Sequence, residues 1–90
     1  MNFLHYEVWT KNVGDTIEVA LLGHAANVLV MDNPNFLNYR SGRQFIYYGG
    51  FYTHSPAVIV PPSPGHWNVV IDLGGASGQV NATVRVHQRR

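Results

Sequence analysis

Residues 15–32 read DTIEVALLGHAANVLVMD. Apolar residues recur at every second position on both sides of Gly23-His24, the period of a strand rather than of a helix. Glycine at the first turn position predicts a two-residue type II′ hairpin. Setting Leu22 opposite Ala25 places Leu21 opposite Ala26, Val19 opposite Val28 and Ile17 opposite Val30, so every partner on that face is apolar. Such agreement fixes register, because a slip of one residue turns the apolar set to solvent. The other face, with Thr16, Glu18, Ala20, Asn27, Leu29 and Met31, reads as partly exposed.

Residues 65–86, GHWNVVIDLGGASGQVNATVRV, repeat the pattern. Trp67, Val69, Ile71 and Leu73 share one face of a first strand, and Val80, Ala82, Val84 and Val86 share one face of a second. The glycine-rich stretch 74–79 between them predicts a second hairpin, with Leu73 opposite Val80 and the nearly all polar set Asn68, Val70, Asp72, Asn81, Thr83 and Arg85 facing outward. FLHYEV at 3–8 and AVIV at 57–60 read as further strands, the latter ended by PPSPG at 61–65, since proline cannot donate to a ladder.

Residues 32–42, DNPNFLNYRSG, break the pattern. Asp32 or Asn33 suits an N-cap with Pro34 in the first turn, Phe36, Tyr39 and Leu37 inward, and Gly42 as the stop. The chain therefore reads as one all-β domain, 1–90: a small antiparallel sandwich or prism-like barrel of six to seven short strands with one short helical turn near residues 34–41.

A chain of 90 residues can build a single core, and 46% hydrophobic with 12% charged residues marks a folded one. There is no cysteine, hence no disulfide framework. No basic start followed by an apolar run opens the sequence, and no uncharged apolar run approaches the ~20 residues of a membrane-spanning helix. These features predict a soluble cytoplasmic domain with no membrane partner. A net charge of +1 argues against nucleic acid, which requires Lys and Arg gathered on one surface. Arg85, Arg89 and Arg90 read as a solvated tail.

The densest stretch is RQFIYYGGFYTH at 43–54, where Phe45, Tyr47, Tyr48, Phe51 and Tyr52 crowd into eight positions. A type I′ turn at Gly49-Gly50 predicts a third hairpin. Strand parity then gives a core face of Ile46, Tyr48 and Phe51 and a second face of Phe45, Tyr47, Tyr52 and His54 near Arg40 and Arg43. Tyrosine and arginine are enriched at interface hot spots. Tyr39, Arg40, Arg43, Tyr47, Tyr52 and His54 are accordingly the candidate binding residues.

Catalytic signals are missing. Glu7, Asp15, Glu18, Asp32 and Asp72 form no acid–base pair by spacing, and no serine occupies a nucleophile-elbow motif. His5, His24, His54, His66 and His87 lack metal-ligand spacing. LGGASG at 73–78 opens no helix, so it lacks the anion site of a phosphate loop. No catalytic residue, metal site or cofactor is predicted, and a cryptic enzyme would need a triad assembled only in space.

NFLHY at 2–6, GDTIEV at 14–19, AANVLVMD at 25–32, NFLNYRSGR at 35–43, YYGG at 47–50 and GHWNVVIDLGG at 65–75 together resemble a family of small bacterial domains of unknown function, found alone or attached to TIR-type signalling domains. The resemblance spans nearly the whole chain and implies an all-β fold, a bacterial cytoplasmic setting and a sensing or assembly role without known catalytic residues. The expected function is a non-enzymatic recognition or assembly module that self-associates, or binds another protein, through the aromatic and arginine surface. The alternative is a sensor for a small polar ligand, a sugar or nucleotide-derived molecule, whose mark would be a concave pocket lined by the same tyrosines and arginines.

Overall fold

The computed structural model describes residues 2–89, so Arg90 of the expected tail lies outside them. In chain order the elements are β1 (Phe3–Thr10), β2 (Thr16–Gly23), β3 (Ala26–Met31), α1 (Asn33–Arg40), β4 (Tyr48–Tyr52), β5 (Ala57–Ile59), β6 (Gly65–Asp72) and β7 (Val80–His87). They form a sandwich of two antiparallel sheets, one ordered β1-β6-β3-β4 and the other β5-β2-β7.

All three expected hairpins are absent: the strands of the first two exist but pair otherwise, and the third is replaced by the single strand β4. β2 pairs with β7 and β5, while β3 pairs with β6 and β4. β6 and β7 likewise lie in opposite sheets. The connections at 24–25 and 73–79 are arches that carry the chain across the core. Alternation fixes which side chains face the core, and it reads the same whether two strands lie side by side or face each other from opposite sheets. Ile17 and Val19 of β2 and Val28 and Val30 of β3 do share the core, but from its two sides.

Gly49-Gly50 is no turn either. Both glycines lie within β4, where Leu29 pairs with Gly49 and Val28 with Gly50. The parity of the aromatic stretch is corrected accordingly: Ile46, Tyr48 and Phe51 are exposed, whereas Phe45 and Tyr52 are half-buried.

The main core lies between the sheets, from Ile17, Val19, Val28, Val30, Trp67, Val69 and Ile71. A second cluster lies on the outer face of the four-stranded sheet, where Leu29, Met31 and Val70 pack against Phe36 and Tyr39 of α1. Faces expected to meet solvent are therefore covered: Leu29, Met31, Val70, Asn68 and Asp72 are all buried. Leu37, expected inward, is exposed on the far side of α1. Arg85 and Arg89 do not form a loose tail, since Arg85 pairs with Glu18 in the sheet and the Arg89 amide donates to Asp15 Oδ1 at 2.7 Å.

Candidate functional site

α1 starts where the sequence says it should. Asp32 is the N-cap, its Oδ1 accepting from the Asn35 amide at 3.1 Å, with Pro34 in the first turn. Such a cap satisfies an amide that the helix itself cannot. Gly42, at φ 76, ends the helix in a conformation that glycine adopts without a Cβ penalty. Two bonds then fold the chain back along the helix: the Arg43 amide to Asn38 O at 2.8 Å and the Ile46 amide to Asn35 Oδ1 at 2.8 Å. This return lays the Phe45 ring edge-on to Tyr39 at 5.1 Å and brings Tyr47 to 5.6 Å from Phe45.

Beneath that segment, Asp72 ends β6 with its carboxylate buried. Oδ2 accepts from the Tyr39 hydroxyl at 2.5 Å, and Oδ1 accepts from Asn27 Nδ2 at 2.8 Å and from the Gly74 amide at 2.9 Å. A buried carboxylate needs such donors, because desolvation without them is costly. Burial first, then the bond to Asp72 and its charge, push the Tyr39 hydroxyl well above the ordinary tyrosine range. Tyr39 thus stays a neutral donor that ties helix to sheet.

Around these groups opens a cleft of about 490 Å³, whose lining includes Asn27, Arg43, Phe45, Tyr47, Asp72 and the Gly74-Gly75 turn. Of the six candidate binding residues, Tyr39, Arg43 and Tyr47 meet here. Tyr39 contributes from a buried position, while Arg43 and Tyr47 are exposed. The other three lie elsewhere. The Arg40 guanidinium stands 5.4 Å above the Phe36 ring, a cation–π arrangement. Tyr52 packs against the main core, and His54, 5.8 Å from it, follows β4 in the connection to β5.

Asp72, Asn27 and the Gly74-Gly75 turn escaped the sequence reading. Asp72 looked like an outward polar residue, and Asn27 like one member of a solvent face. Their one signal was position: a carboxylate closing the apolar run VVID, separated by one residue from two glycines, and an amide within ANVLVM.

Two of the histidines make contacts within the fold. His5 stacks on Phe36 at 4.1 Å and its Nε2 bonds Asn68 Oδ1 at 2.8 Å, while His66 Nε2 lies 2.8 Å from Glu7 Oε1. Among the described residues no group of three or more His, Cys, Asp or Glu side chains could hold a metal ion. Among the described residues no helix is long and apolar enough to cross a membrane.

A family model described as a domain of unknown function (DUF1883) matches residues 1–90. No curated protein and no solved structure matches the chain significantly.

Proposed function

We propose that this chain, which belongs to the DUF1883 family of domains of unknown function, is a non-enzymatic recognition module that takes a small, polar, ring-bearing molecule into the cleft above Asp72. The supporting observation is that Arg43 and Tyr47, distant in sequence from Asp72 and Gly74-Gly75, line one concavity of about 490 Å³ with them. That volume suits a sugar or nucleotide-derived ligand. Phe45 and Tyr47 offer rings for stacking, and the two glycines, lacking Cβ, let a ligand approach the backbone. Arg43 forms no ion pair among the described residues, and Asp72 is occupied by its three donors. An uncompensated guanidinium favours an anionic group, and hence a nucleotide-derived ligand over a neutral sugar. That the carboxylate spends three bonds on the fold also supports the non-catalytic reading. A sensing role fits the bacterial, cytoplasmic, TIR-associated domains that the sequence resembles.

Ile46 and Phe51, 66% and 62% exposed, lie on the same side of the sheet as Tyr47 and favour a docked protein, another copy included, as the alternative. A thermal-shift screen with nucleoside mono- and diphosphates and simple saccharides separates the two. Stabilisation by a nucleotide that is lost in both Arg43→Ala and Tyr47→Ala supports the cleft. No stabilisation by any compound, or stabilisation surviving both substitutions, contradicts it.

A further inference from the structure

A two-sheet sandwich has four edge strands, and here they differ in kind. β5 is three residues long and lies between Pro56 and Pro61; β4 is five residues long and contains Gly49-Gly50. Short strands, proline and glycine all discourage pairing with a further chain. β7 equals β1 in length, but it carries the cationic Arg85, and the Tyr6 hydroxyl already takes one of its carbonyls, Ala82 O, at 3.3 Å. β1 has eight residues, FLHYEVWT, without glycine, proline or lysine, and its ladder partner is β6 on one side alone. An unblunted edge of this length is a template for strand addition. On the same side of the sandwich the inward residues Leu4, Tyr6, Val8, Ala82 and Val84 are only partly buried.

We infer that β1 pairs antiparallel with β1 of a second copy of this chain about a two-fold axis at Tyr6. Inward and outward faces stay matched only when paired residue numbers sum to an even value, which leaves three central registers. Centring on Glu7 opposes Glu7 with its own copy, and centring on His5 opposes two histidines and sets Phe3 against Glu7. Centring on Tyr6 sets Leu4 against Val8, His5 against Glu7 and Phe3 against Trp9, twice each. Directly opposed apolar and aromatic pairs stabilise a sheet, and like charges destabilise it. This register is therefore self-complementary, as a two-fold interface must be. Trp9, 64% exposed in the single chain, gains a partner in Phe3 of the other copy. The two four-stranded sheets become one continuous sheet, and the half-buried inward residues of the open side are covered. Phe3 adjoins the cleft lining, packing on Tyr39 at 5.2 Å and pairing with Asp72, but Glu7 and Trp9 pair with Asn68 and His66 outside it, so a failure in their variants leaves the ligand proposal standing.

Sedimentation velocity on the full chain over micromolar to millimolar concentration tests the pairing. The expected result is a species of twice the 10.1 kDa chain mass. Glu7→Lys, which removes the carboxylate facing His5 of the other copy, and Trp9→Glu should each raise the dissociation constant by at least about tenfold. Both residues are exposed, so circular dichroism should show unchanged folding. A wild-type monomer at the highest concentration overturns the inference. So does a dimer that withstands both substitutions, because it must use another surface.

Discussion

The Tyr39 hydroxyl donates to Oδ2 of Asp72 at 2.5 Å, the bond that fastens α1 to the end of β6. Tyr39→Phe removes the donor and leaves a buried carboxylate short of one partner, at a cost of about 1–3 kcal/mol. The substitution should also change the alkaline limb of stability. Because the folded-state value is raised, the contribution is full below the ordinary value of 10.0 and is lost as pH rises through the folded value. Urea unfolding across that range should show a decline in the wild type that Tyr39→Phe lacks. Equal midpoints and equal slopes would mean that the bond holds nothing.

Asp15 governs the acid side. Its carboxylate accepts backbone amides from Arg89 at 2.7 Å, Asn12 at 2.9 Å and Lys11 at 2.8 Å, bonds that hold its pKa below the usual value, with Arg89 contributing most. A depressed folded value gives stability that is present above 3.8 and lost as pH falls through the lowered value. Asp15→Asn should be less stable at neutral pH and show a shallower loss in acid, measured as urea midpoints against pH. A parallel acid limb in the variant would contradict this.

Two adjacent glycines should respond differently to the same change. A Cβ on Gly49, at φ 127, would stand 2.1 Å from Val28 O, whereas one on Gly50 would meet nothing within 4 Å. Gly49→Ala should therefore cost more than about 1 kcal/mol and Gly50→Ala less than about 0.5 kcal/mol in thermal melts. Equal penalties would point back to a turn at this position.

The arches can be tested by oxidation, since the chain has no cysteine of its own. Glu18 and Arg85 are cross-strand neighbours, so Glu18→Cys with Arg85→Cys should form a disulfide under air. Ala20 and Asn27, neighbours in the simple hairpin, lie on opposite outer faces of the sandwich, and their cysteine pair should remain reduced. The reverse pattern would restore the hairpin.

That contrast marks where the sequence stops being informative. Strand positions outside 43–54 followed from alternation, and α1 from Asp32, Pro34 and Gly42, because these signals are local. Pairing did not, because Val19 and Val28 satisfy one apolar pattern both as ladder neighbours and as residues facing across a core. The cover over the outer sheet face was legible only in Leu29, Met31 and Val70, three apolar residues on faces taken to be wet. Arg43 and Tyr47 stood out by residue type. Asp72 did not, because its role depends on a helix folding over it and supplying Tyr39, 33 residues earlier in the chain.

The cleft is tested most directly by a 15N–1H correlation spectrum of the labelled chain titrated with adenosine 5′-monophosphate. The proposal predicts shifts confined to the amides of 42–47 and 72–75 that vanish in Arg43→Ala. Shifts absent at saturating nucleotide, or spread over β2 and β7 on the far sheet, would contradict it.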